Sequence, residues 1–167
     1  MDLHKAETLA LSLMTKHGLP KLFSFDNSRK RFGVCRMRYN RSIISFGGQT
    51  KTNYTFVGIS LSKHLVKLND EAQVTDTILH EIAHALTMGD GHGAKWKAKC
   101  VEIGCRPIRC YSASEVEAPT LKYSASCEDC GTVFQRSRLP KEGRKVACKC
   151  QRGINWDNKK LLEYKPN

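Results

Sequence analysis

The spacing of apolar and polar positions divides the chain into a helical opening, a β-rich stretch, two further helices and a tail of different chemistry. Leu3, Ala6, Leu9, Ala10 and Leu13 recur at the three-and-four spacing of one helical face. They predict a helix over about residues 3–16 that ends before His17-Gly18 and packs on the core through that stripe. Over residues 22–59 the period shortens. Residues 42–46 (Ser-Ile-Ile-Ser-Phe) and 54–59 (Tyr-Thr-Phe-Val-Gly-Ile) read as strands, with Gly47-Gly48 and Thr52-Asn53 as turn signals, so a small antiparallel or mixed sheet is expected. A helical period returns after Asp70, which forms an N-cap pair with Gln73. Val74, Ile78, Ile82 and Leu86 make its apolar stripe, and Gly89 offers a stop. A last helix is expected over about Ala94–Ile103, closed by Gly104 and turning Trp96 and Cys100 towards the core. There is no internal repeat and no low-complexity tract.

The second of these helices carries the most specific chemistry. His80, Glu81 and His84 stand in the HExxH arrangement. Positions four apart lie one turn apart on the same face, so two imidazoles can grip one Zn²⁺ while Glu81 sits beside the water that such a metal activates. A carboxylate one residue around the helix is placed to act as general base and to hand the proton on to a leaving amine. The bland alternative is a helix that buries two hydrogen-bonded histidines on its inner face. A catalytic site needs a third ligand, and two candidates follow the helix. Asp90 has the spacing of an extended HExxHxxGxxH/D pattern, but that pattern wants Gly where this chain has Thr87. His92 lies in a run with glycines at 89, 91 and 93, which let the backbone turn sharply and return the ring to the metal, and it is the preferred ligand. Capping or simple surface exposure is the alternative for His92.

The C-terminal tail offers a second metal site. After residues 112–117, a polar and acidic stretch, a boundary is expected near Ala118-Pro119-Thr120. Beyond it Cys127 and Cys130 form a CxxC pair, and Cys148 and Cys150 a CxC pair, a spacing close to that of a closed four-cysteine zinc ribbon. On an extended strand both members of the CxC pair would face one side. Cys35, Cys100, Cys105 and Cys110 lack such spacing and read as small buried side chains; Cys105 and Cys110 would pair only if their loop allowed it.

Together the run LHEIAHAL, the segment DGHGAKWKAKCVEIGCRPIRC and the cysteine module resemble the SprT-like family of zinc metallopeptidases, whose broader circle includes the Spartan-type proteases. The resemblance covers most of the chain. It implies that His80, His84 and His92 bind zinc, that Glu81 is the catalytic base, and that Trp96 is the aromatic residue following the turn. Residues 31–36 and 59–62 resemble the strands that precede the family's active-site helix. The expected fold is therefore α+β: a zincin-like metallopeptidase core with a small sheet and an HExxH helix over residues 1–118, followed by a small zinc ribbon over residues 119–167.

Composition narrows location and partners. The chain has 167 residues and is 40% hydrophobic, enough for one moderate core and a small appended module. No apolar run is long enough to span a bilayer, and residues 9–14 are flanked by Glu7 and Lys16, so neither a membrane segment nor a signal peptide is expected. Cysteines at metal spacing suit a reducing compartment, cytoplasmic or nuclear. The net charge is +12, and residues 121–167 hold eleven Lys and Arg against five Asp and Glu. Arg136, Arg138, Lys141, Arg144, Lys145 and Lys149 lie between or beside the cysteine pairs. Arg29, Lys30, Arg31, Arg36, Arg38 and Arg41 form an acid-free run in the first domain. Such clusters attract phosphate backbones through counterion release, although cationic surfaces also serve solubility alone. Phe32, Tyr39, Phe134 and Trp156 are interspersed as stacking candidates or core side chains.

The function expected is a zinc-dependent endopeptidase with one catalytic and one structural Zn²⁺ that binds single- or double-stranded DNA without sequence preference. The family resemblance implies DNA-associated or DNA-crosslinked proteins as substrates. A monomer is expected. The oxyanion partner is left open between Tyr111 and a backbone amide of the sheet edge. Two other readings stand beside this one: a non-catalytic DNA-binding adaptor stabilised by zinc, and a hydrolase of small peptides indifferent to nucleic acid.

Overall fold

The computed structural model describes residues 1–43, 50–111 and 115–167 of a mixed α+β chain. It divides into two compact units, Met1–Ala118 and Pro119–Asn167. In the first, α1 (Leu3–Lys16) starts where the Asp2 carboxylate accepts the N–H groups of His4 and Lys5. Ala6, Ala10 and Met14 form its fully buried stripe, while Leu3, Leu9 and Leu13 flank it half-buried. Met14, four residues beyond Ala10, extends the stripe that sequence spacing traced only to Leu13.

The sheet of this unit contains β1 (Phe23–Asp26), β2 (Gly33–Ile43) and β3 (Thr50–Ser62) in the order β1-β3-β2. β1 runs parallel to β3 and β2 antiparallel to it, so the sheet is mixed and β2 lies at its edge. The strand expected over residues 42–46 contributes Ser42 and Ile43 to the end of β2; residues 44–46 and the Gly47-Gly48 signal lie outside the described residues. Thr52-Asn53 is not a turn. Both residues sit inside β3 opposite Arg41 and Asn40, where pairing along a long partner strand outweighs the local turn preference of Asn.

A short helix that the periodicity did not predict, α2 (Lys63–Leu68), follows β3 directly; Ser62 caps it by accepting the Leu65 N–H. In α3 (Glu71–Leu86) the Asp70 carboxylate accepts the Gln73 N–H at 2.8 Å. Val74, Ile78 and Ile82 are fully buried, whereas Leu86 at the helix end is 37% exposed. The helix stops at Thr87, two residues before Gly89, where the Thr87 N–H and hydroxyl both bond to the Ala83 carbonyl. Then α4 (Ala94–Ile103) buries Trp96 and Cys100 and ends at left-handed Gly104. One core joins α1, the sheet, α3 and α4 around Met14, Ile59, Leu61, Ile78, Ile82 and Trp96.

The second unit is a three-stranded antiparallel sheet of β4 (Tyr123–Ser126), β5 (Val133–Arg136) and β6 (Lys165–Pro166), in the order β5-β4-β6. Its buried set is small: Ala125, Cys127, Cys148 and Leu162, with Phe134, Val146 and Tyr164 packed against them. Among the described residues no helix is long and apolar enough to cross a membrane.

Candidate metal centres

α3 places His80 and His84 one turn apart, and the turn after the helix returns His92 to them. The Nε2 atom of His92 lies 3.2 Å from that of His84 and 3.4 Å from that of His80. Four ligands at the usual Zn–N length of about 2.0–2.1 Å stand about 3.3 Å apart in a tetrahedron, which both separations from His92 match, and the ligand atoms of all three histidines lie within 4.8 Å of one another. All three rings are half-buried and edge onto or stack against Trp96, with centroids 4.8, 5.2 and 4.5 Å away for His80, His84 and His92. The Trp96 indole N–H is buried without a hydrogen-bond partner among the described residues. These residues fit a metal ion, and zinc suits their chemistry: three imidazoles that burial holds towards the neutral form.

Asp90 takes a different part from the ligand role its spacing allowed. Its carboxylate accepts the Trp96 N–H at 2.9 Å and so caps α4, whose own N-cap, Gly93, has no side chain to do so. The Asp90 N–H bonds back to the Thr87 carbonyl and the Asp90 carbonyl accepts the Gly93 N–H, closing two consecutive turns, the second of which contains His92. The His84 ring also bonds to the Gly91 backbone, fixing the orientation that presents Nε2 to the cluster. Asp90→Ala is expected to weaken zinc binding at the histidines about 10- to 100-fold, with Asp90→Asn recovering part of it. Chelator competition on the folded chain measures this; an unchanged affinity in Asp90→Ala removes Asp90 from the support of His92.

Glu81 points from α3 to the sheet edge and is 7% exposed. The Cys35 N–H of β2 donates to its Oε2 at 2.6 Å. Gly33 makes this approach possible, because a β-carbon there would lie 2.8 Å from both Cγ and Oε1 of Glu81. Burial raises the Glu81 carboxyl to about 7, against the lowering effect of the Cys35 N–H and of Arg31. Burial acts oppositely on the imidazoles, bringing His80 and His84 down to about 4 and lowering His92 as well. For the metal-free chain the signs oppose. The stability linked to neutral His80 and His84 is present above their ordinary value of 6.5 and is lost as pH falls towards 4; that linked to protonated Glu81 is present below 4.5 and is lost as pH rises through 7. With two groups against one, the metal-free chain should become less stable between pH 6.5 and 4.5. Thermal melts across that range test it, and a flat profile would contradict the assigned environments.

Cys127, Cys130, Cys148 and Cys150 meet in the second unit as a second group able to hold a metal. Cys127 and Cys130 flank a turn in which the Gly131 N–H bonds to the Cys127 carbonyl. The Sγ atoms of Cys127 and Cys150, and of Cys130 and Cys148, are 3.6 Å apart. That is close to the roughly 3.8 Å separation required by Zn–S bonds of about 2.3 Å in a tetrahedron. The CxC pair is not on an extended strand: Cys148 precedes, and Cys150 sits within, a 3₁₀ turn at Lys149–Gln151. The tight turn brings both sulfurs to one side despite the single intervening residue. The Thr132 hydroxyl and N–H lower the Cys130 thiol to about 6, while the bond to Cys148 and burial raise Cys150.

The other candidates disperse. All eight cysteines are free thiols; Cys100 and Cys105 are buried and Cys35 half-buried, but Cys110 is exposed, contrary to its reading as a core side chain, and makes no bridge to Cys105. Tyr111 donates its hydroxyl to Asp76 at 3.0 Å and accepts from Thr77 at 3.4 Å. Arg31 and Arg36 converge on Asp26, at 2.6 and 4.0 Å, so the run without acids in sequence meets one in space. Arg29 is half-buried, Lys30 and Arg38 are exposed, and Arg136 lies over the Tyr164 ring. Arg138, Arg144 and Lys145 are exposed. Phe32 belongs to the first core and Phe134 to the second, leaving Tyr39 and Trp156 exposed. Gly33, the Cys35 N–H and the capping carboxylate of Asp90 were missed by sequence reasoning. The Asp-x-x-Gly spacing at 90–93 ahead of a helix was a signal for the last; nothing local marks the first two.

The SprT-like family profile matches residues 8–118 of the chain. No curated protein and no solved structure matches it.

Proposed function

Because the chain belongs to the SprT-like family, which is associated with metallopeptidase-like activity, we propose that it is a zinc-dependent endopeptidase with a zincin-like core, acting on proteins associated with DNA or crosslinked to it. One observation carries the peptidase reading: a buried carboxylate, Glu81, next in sequence to one of three imidazoles whose nitrogens lie close enough together to share a metal ion. His80, His84 and His92 would hold the ion. Zinc, when bound, supplies a Lewis acid for the scissile carbonyl and a water made nucleophilic near neutral pH. Glu81 accepts that water's proton and passes it to the departing amine. The Cys35 N–H holds Oε2, which leaves Oε1 for the proton, and the dry setting that raises the carboxyl to about 7 favours its retention until the amine leaves. β2, an edge strand, offers backbone groups alongside Glu81 for an extended substrate segment. Tyr111, held by Asp76 and Thr77, is already engaged; a backbone amide of β2 is the better oxyanion donor in this reading.

The four thiols of residues 119–167 would hold a structural ion, making this unit a zinc ribbon. Its excess of eleven basic over five acidic side chains in residues 121–167 supports nucleic-acid binding without base preference. Eight free thiols, four of them set for metal, support a reducing compartment, cytoplasmic or nuclear. Elemental analysis should find two zinc ions per chain. Cleavage of a basic DNA-binding protein should be stimulated by DNA and suppressed by salt. DNA binding without any cleavage would favour the adaptor; cleavage indifferent to both DNA and salt would favour a general peptidase.

A further inference from the structure

The sheet of the first unit is longer than the core beneath it. β1 pairs with β3 only along Ile59–Ser62, and the antiparallel ladder of β2 and β3 continues well past this, from Arg38↔Thr55 to Ser42↔Lys51. Of the ten residues 38–42 and 51–55, all but the half-buried Thr52 are exposed. A two-stranded ribbon with both faces wet is marginal by its own cross-strand pairing. Its side chains therefore ask for a reason other than core formation.

Two features supply it. Tyr39 and Tyr54 face one another across the ladder with ring centroids 6.4 Å apart, and the Arg41 guanidinium lies 5.7 Å from the Tyr39 centroid. Tyr39 is 66% exposed, so its ring face is open to a flat partner. The charge around it has one sign: residues 27–69 contain nine Lys and Arg and no Asp or Glu. Arg38, Arg41 and Lys51 make no ion pair among the described residues. The same ribbon reaches the metal centre, since the Tyr54 ring lies so close to Gly89 that a β-carbon there would be 2.6 Å from it. Gly89 begins the turn that returns His92.

We propose that this ribbon is a binding surface for an unpaired nucleic-acid strand, with a base stacked on Tyr39 and the backbone held by Arg38, Arg41 and Lys51. A π-face beside a guanidinium suits any base, and exposed cations suit phosphate. A duplex keeps its bases inside and engages the cations alone. An acidic protein segment would satisfy the charge but leave the tyrosine without a matching flat partner. A strand seated here lies beside the turn that carries a metal ligand, so nucleic acid is bound within reach of the reaction site. This proposal rests on the nucleic-acid half of the function argued above and not on its peptidase half.

The test is equilibrium binding of a labelled oligothymidylate of about 15 nucleotides, and of a duplex of equal length, to the full zinc-loaded chain. Tyr39→Ala should weaken single-strand binding about tenfold or more and change duplex binding little, while Tyr39→Phe retains it. Arg41→Ala should weaken both and lower the salt slope by about one. Unchanged single-strand affinity in Tyr39→Ala, with wild-type binding intact, overturns the ribbon as the site and leaves the proposed function standing. Equal losses on strand and duplex, or displacement of the oligonucleotide by polyglutamate at equal charge, overturn stacking as the recognition. No binding of either nucleic acid by the wild type removes the ribbon proposal and the DNA-linked substrate together, and leaves the peptidase chemistry to be judged by cleavage.

Discussion

The Glu81→Gln chain is expected to lose about 10²- to 10⁴-fold in peptide-bond cleavage while keeping its zinc content and its melting temperature. The substitution isolates one property. A glutamine amide oxygen accepts the Cys35 N–H as Oε2 does, and the side chain has nearly the same volume against Gly33 and Thr77. The amide cannot take a proton at any relevant pH, so the step assigned to Glu81 has no acceptor. No candidate metal ligand is touched, because in this arrangement the three imidazoles would hold the ion. A histidine substitution would not separate metal loss from chemistry. Cleavage within about threefold of wild type, well below the effect expected of a general base, would show that Glu81 is a packed carboxyl and no base.

Loss of the second metal should have the larger structural effect. Cys148→Ser, or a chelator strong enough to strip the four thiols, is expected to unfold residues 119–167 and leave the first unit folded. The reason is size. Four buried residues with three half-buried neighbours make the apolar centre of this unit, and two of the four are themselves candidate ligand cysteines. Domains this small rarely hold together on hydrophobic burial alone, whereas a structural zinc supplies about 10–16 kcal/mol in comparable peptides. Residue-resolved amide exchange reads the outcome: protection along β4 and β5 should vanish while that of α3 persists. Retained protection at Ser124 and Phe134 in the stripped chain would mean that the fold precedes the metal.

Much of the first unit was legible because its signals are local. α3 begins at the Asp70–Gln73 pair and α4 ends at Gly104, and the apolar stripes of α1 and α3 follow from a period that needs no tertiary information. The histidine cluster was legible for the same reason, since a helix turn and a short glycine-rich loop bring together residues within thirteen positions of one another. What escaped was non-local or too short. β1 has four residues and α2 six, below the length at which periodicity speaks. The contact of Glu81 with Cys35 spans 46 positions and depends on the register of β2, which no pattern within β2 reveals. Asp90 was weighed as a ligand because its spacing allowed it; only the geometry shows its carboxylate spent on α4. Arg31 and Arg36 looked uncompensated because Asp26 precedes their run and is brought beside them by the return of the chain between β1 and β2.

The placement of Trp96 has one more consequence. The chain has two tryptophans: one fully enclosed against the three imidazoles, the other, Trp156, 52% exposed in the second unit. Their emission therefore separates by colour, blue from the enclosed indole and red from the hydrated one. A paramagnetic ion exchanged into the histidine cluster sits within contact range of the blue emitter. The molecule thus carries its own optical gauge of which ion occupies that cluster.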